Sequence, residues 1–201
     1  MGQYYTVYLE KTEGWRQITP VQYDNTNKLT ESSFFGNSYV NAVCEYLAEP
    51  TRVAWIGDYA TVEDGLAYHA NITDEELLPL LSGNAPLLDV LTNTKERRYL
   101  VNHTKGQYID LVKYQEQYKE LIPQYEDLIT HPLPLLTACG NGQGGGDYWG
   151  MNQDAVGTWA FDLIQTTDSL PEDKEEIEIL FIESWILRSL SLETGHSSPE
   201  T

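Results

Sequence analysis

Positive charge is what this sequence has least of: 12 Lys and Arg stand against 31 Asp and Glu in 201 residues, a net charge of −19. Such a chain repels phosphate backbones and anionic membranes, which argues against direct nucleic-acid binding and for a basic partner. Cysteine is almost as scarce. The two thiols, Cys44 and Cys139, are too few for a disulfide framework, and Cys44 falls on the apolar stripe of an expected helix, where it reads as a small buried hydrophobe. No apolar run at the N-terminus is long enough for a secretion signal or a membrane span, so a cytoplasmic protein is expected. Cys-x-x-Cys, His-x-x-x-His and Gly-Lys-Ser/Thr are all missing, which removes the strong zinc signatures and the phosphate-binding P-loop. Met1-Gly2-Gln3-Tyr4-Tyr5-Thr6 fits a myristoylation pattern but runs into an aromatic-rich strand, and the two Asn-x-Thr acceptors matter only in a secreted chain.

What is present suffices for a folded domain: 41% hydrophobic residues, with 14 Tyr and 5 Trp. The pattern predicts a single α+β domain over residues 1–192, a mainly antiparallel sheet with two to three packed helices, followed by a flexible polar tail at 193–201. Strands are expected at 4–10 and 15–23 around Thr12-Glu13-Gly14, and Pro20 places the second at an edge. A helix follows Asn37 or Ser38 and runs to 49, then a strand at 52–56 that delivers Asp58 to a strand end. Thr73 and Glu76 form a capping box for a short acidic helix. Strands at 97–102 and 107–110 precede a helix at 111–122, with Val112, Tyr118, Leu121 and Ile122 facing inward. The apolar run 133–138 reads as a buried strand. The alternation of Trp159, Phe161 and Leu163 favours another, in a hairpin with 176–183 across the polar 168–175 connection.

The densest chemical signal is the loop after Cys139, where five of the seven residues 140–146 are glycine and Asp147, Tyr148 and Trp149 follow. Glycine lets another group lie against bare backbone. Gly140, Gly142, Gly144, Gly145 and Gly146 are therefore candidates for a ligand-binding loop or for a tightly packed structural turn. The run formally satisfies the dinucleotide fingerprint, although no helix starts inside it and no βαβ unit surrounds it. Four histidines allow a divalent metal such as zinc, with His131 and Cys139 flanking the expected 133–138 strand and Asp147 beyond it as candidate ligands. His103, Asp147 and Asp58 are the candidate catalytic groups, and Cys139 with His103 or His131 is a candidate nucleophile pair. These groups together would suit a small metal-assisted hydrolase or a nucleotide-binding protein.

The negative charge is skewed. Residues 121–201 hold 14 carboxylates against Lys174 and Arg188, a net of −12, with Glu172, Asp173, Glu175, Glu176 and Glu178 clustered. Several stretches are distinctive together: Met1-Gly2-Gln3-Tyr4-Tyr5, residues 36–43, 52–59 and 100–105, His131-Pro132-Leu133-Pro134-Leu135-Leu136 and Trp159-Ala160-Phe161-Asp162-Leu163. In these the chain resembles, over residues 1 to 183, a family of uncharacterised bacterial and phage proteins that share the Met-Gly-Gln-Tyr-Tyr start and the glycine loop. The resemblance implies a prokaryotic or phage setting and transfers no activity. Charge and setting together lead to the main expectation: an acidic, phage- or mobile-element-associated protein that occupies a basic nucleic-acid-binding surface. Its partner would be a CRISPR effector or other nuclease, in the manner of an anti-CRISPR, another anti-defence inhibitor or a DNA mimic.

Overall fold

The computed structural model describes residues 3–25, 28–29, 33–63, 71–124, 129–140 and 154–181. They build one eight-stranded, mainly antiparallel sheet. A hairpin opens it, β1 (Tyr5–Lys11) against β2 (Gly14–Ile18); β2 lies at the sheet's edge but ends at Ile18, and Pro20, expected within the strand, instead opens a short 3-10 helix (Pro20–Tyr23). β3 (Thr51–Gly57) adds to the other side of β1. β4 (Tyr99–Asn102) and β5 (Gln107–Asp110) form a second hairpin. β6 (Ala138–Cys139) runs parallel to the end of β3, and β7 (Leu163–Thr167) bridges the start of β3 to β4. β8 (Glu175–Glu176) closes the far edge, parallel to β5.

Side chains alternate across a strand, and here both faces are covered. One face presents Tyr5, Val7, Leu9, Val53, Trp55, Leu100, Ile109 and Ile164 to the larger core, shared with α1 (Ser38–Tyr46), α3 (Leu111–Leu121) and α4 (Pro132–Leu136). The other presents Tyr8, Ala54, Ile56 and Cys139 to a smaller core under Leu77 and Leu80 of α2 (Asp74–Leu81). Local chemistry starts each helix. Asn37 accepts the Tyr39 and Val40 N–H groups, and Asp110 those of Val112 and Lys113. Thr73 and Glu76 form the expected capping box. Arg52 ties the smaller core together. It pairs with Glu10 at 3.3 Å and Glu76 at 3.0 Å, donates to the Phe161 carbonyl at 3.2 Å and lies 5.3 Å from the Trp15 ring centroid.

The α+β class is as expected, with four α-helices among the described residues where two to three were foreseen. Four further local readings change. The 133–138 run is not a strand: Pro132 opens a short helix, His131 caps it through Nδ1, and only Ala138 and Cys139 are extended. A run apolar on every side carries no period to separate the two forms. Trp159 and Phe161 lie in a chain of turns and not in a strand, with Phe161 in the left-handed region at φ 62°. That turn is pinned by Gly157, also at positive φ, where a Cβ would stand 2.6 Å from the Ala138 carbonyl oxygen. The hairpin across 168–175 does not form, because β7 pairs with β3 and β4 while β8 pairs with β5. In α3 the inward residues are Leu111, Tyr114 and Tyr118, whereas Val112 and Leu121 are exposed. The 193–201 tail lies outside the described residues.

Candidate functional site

The glycine loop departs from a crowded strand end. β3 and β6 are parallel and finish side by side, so Gly57 and Gly140 follow at the same level. Between them sits the fully buried side chain of Gln3, which accepts a hydrogen bond from the Tyr5 hydroxyl at 2.7 Å. Gln3, from the conspicuous N-terminal motif, thus packs against Gly140, where the loop begins. Gly142, Gly144, Gly145, Gly146 and Asp147 lie outside the described residues.

The remaining candidates for metal binding and catalysis do not converge. Register places His103 beside the start of β3, because Asn102 pairs with Ile164 and Ile164 with Thr51. Asp58 lies past the opposite end of that strand, roughly 20 Å away at the rise of a β-strand. Each is engaged where it stands, His103 with Gln165 at 2.9 Å and Asp58 as acceptor of the Tyr4 N–H at 3.0 Å. His131 and Cys139 belong to cores on opposite faces of the sheet. Among the described residues, no group of three or more His, Cys, Asp or Glu is arranged to hold a metal ion.

His131 has a different neighbour. Its Nε2 is 3.9 Å from Cys44 Sγ, on α1 and 87 residues earlier. Because Nδ1 accepts the Leu133 N–H at 3.1 Å, the ring's own hydrogen is on Nε2 and points at the sulfur. Burial holds the pair neutral: it pushes the His131 imidazole down to about 3 and the Cys44 thiol up to about 12. This is a thiol and a neutral imidazole, the reverse of the thiolate and imidazolium of a nucleophilic pair. The two residues line a cavity of about 260 Å³ together with Phe35, Asn41, Leu111 and Gln115. At its mouth Arg97 makes a two-pronged pair with Glu45, both distances 3.0 Å, which holds the Glu45 carboxyl below its ordinary range. Arg98 is likewise paired with Asp110 at 2.7 Å. Nothing local links position 44 to position 131, so in the sequence this site shows only as separate residues.

The acidic cluster divides. Glu176 is neutralised by Lys113 and accepts from the Tyr108 hydroxyl at 3.0 Å, and Asp173 pairs with Lys174 at 2.6 Å. Glu172, Glu175 and Glu178 are exposed, with Glu175 on the edge strand itself. The same economy runs through the described chain, where Arg16, Arg52, Lys95, Arg97, Arg98, Lys113 and Lys174 are each held by a carboxylate. No helix among the described residues is long and apolar enough to cross a membrane. Set against known proteins, the chain matches no family model, no curated protein and no solved structure.

Proposed function

We propose that this protein is an acidic binding protein that occupies a basic, nucleic-acid-binding surface of a partner. The observation that carries the reading is the internal pairing of its cations. Seven of the basic side chains are already engaged by carboxylates of the same chain, so the field presented to a partner comes from the surplus acids. Glu172, Glu175 and Glu178 are exposed on and beside the edge strand β8, an arrangement suited to a positively charged channel. A CRISPR effector or another nuclease of phage defence offers such a channel, and the phage and bacterial resemblance of the sequence supports that choice.

The test is displacement of labelled duplex DNA from a guide-loaded CRISPR effector and from a panel of other nucleases, repeated over a range of salt. The expected result is displacement that weakens as salt rises. It should fall at least tenfold in the Glu172→Gln/Glu175→Gln/Glu178→Gln triple variant, whose melting temperature should match the wild type because exposed charges add only about 0–1 kcal/mol each. Displacement indifferent to salt and to the three substitutions, or none from any member of the panel, overturns the reading.

A further inference from the structure

We propose that the cavity between α1, α3 and His131 binds a small, neutral, planar heterocycle of nucleobase type, independently of the acidic edge. At about 260 Å³ the cavity is smaller than the roughly 300–1,000 Å³ of pockets for drug-sized ligands and suits one ring system. Its lining is aromatic on one side, where the Phe35 and His131 ring centroids stand 4.5 Å apart with the rings tilted by 43°, and Leu111 adds aliphatic surface.

The polar groups define the rest. The His131 Nε2–H is a buried donor whose acceptor within the protein is a thiol sulfur at 3.9 Å. Sulfur accepts weakly, so a ring nitrogen or carbonyl oxygen in the cavity would be a better partner. Asn41 and Gln115, both half-buried, also line the cavity, and neither side-chain amide hydrogen-bonds to another described residue. Each supplies a donor and an acceptor, the pairing by which amides read the mixed edge of a base. Charge excludes the alternatives. An anion would meet two guanidinium groups that Glu45 and Asp110 already occupy, with Glu96 and Asp168 beside them at the mouth. A cation would meet Glu96 and Asp168 only at the mouth, where Lys95 already holds Asp168, and deeper in it would face the His131 N–H and the Cys44 thiol.

Calorimetry and thermal denaturation of the full chain at pH 7.5 provide the test, with adenine, cytosine and uracil as probes and benzoate and benzylamine as charged controls. At least one base should bind saturably below 1 mM and raise the melting temperature, as any ligand selective for the native state must, while both controls fail to bind. Asn41→Leu and Gln115→Leu should each weaken that binding about tenfold, one amide contact's worth, and leave the melting temperature of the free protein unchanged. Should either variant fold poorly, the wild-type chain still decides: the bound base should shift the imidazole proton resonances of His131. Absence of binding by all three bases, equal binding of benzoate or benzylamine, or an undisturbed His131 resonance on saturation overturns the proposal.

Discussion

The Gln3 carboxamide fills the space beside Gly140: its Oε1 lies 2.7 Å from where a Cβ on that glycine would stand. Gly57 is closer still, its Cβ position 2.4 Å from Gln3 Cδ. Because the amide is buried and bound to Tyr5, it cannot swing away. Gly57→Ala and Gly140→Ala are each expected to destabilise by about 1–3 kcal/mol, the usual cost of overpacking. In a Gln3→Ala background the penalty should largely vanish. Urea denaturation of the double-mutant cycle measures this, and equal penalties in both backgrounds would assign the glycines another role.

Acid should weaken the fold first through His131. Its folded imidazole sits at about 3 and the unfolded one near 6.5, so the native state binds fewer protons between those values. The contribution is fully present above pH 6.5 and is lost as pH falls towards 3, at about 1.4 kcal/mol per unit. Between pH 6.5 and 5 the loss should approach 2 kcal/mol, before the paired carboxylates titrate. His131→Asn, which keeps a helix-capping side chain, should flatten the dependence over that interval in chemical denaturation curves.

Neither thiol should behave as a nucleophile in the folded protein. Cys44 is buried and held protonated up to about 12, and Cys139 is buried, 2% exposed. Iodoacetamide at pH 8 should label neither in buffer and both in 6 M urea, read by mass spectrometry. Rapid labelling of Cys139 in the native state would restore the nucleophile pair expected from the sequence.

Arg52 joins β3 to β1, α2 and the Phe161 turn, with its side chain only 20% exposed. Arg52→Ala should cost about 1–2 kcal/mol, chiefly from lost packing on Trp15, because Glu10 and Glu76 are partly exposed and water can replace their cation. Arg52→Lys should recover less than half, since an ammonium cannot serve two carboxylates and a carbonyl in one plane. Thermal and urea unfolding give both values.

The features legible in the sequence were those settled within a few residues. Asn37, Thr73 and Glu76 announced their helices by capping chemistry, and Thr12-Glu13-Gly14 its hairpin. The readings that failed depended on distant partners. Ile177 and Ile179 alternate with acids as a strand would, yet Glu175 and Glu176 alone pair there, against β5. Phe161 looked extended until the positive φ that its turn imposes. The Cys44 and His131 contact joins an early helix to a late cap across the larger core, a closeness no local pattern encodes.

The central position of β3 has a kinetic consequence. It receives β1 from 46 residues earlier, counting Tyr5 to Thr51, and β7 from 113 residues later, counting Thr51 to Ile164. Chain that leaves a ribosome in order therefore presents β3 with one edge unpaired until β6 and β7 emerge, and closing so long a loop is entropically slow. The Val53 to Ile56 segment is then the stretch most exposed to wrong pairing, and refolding yield should depend on dilution more steeply than native stability does.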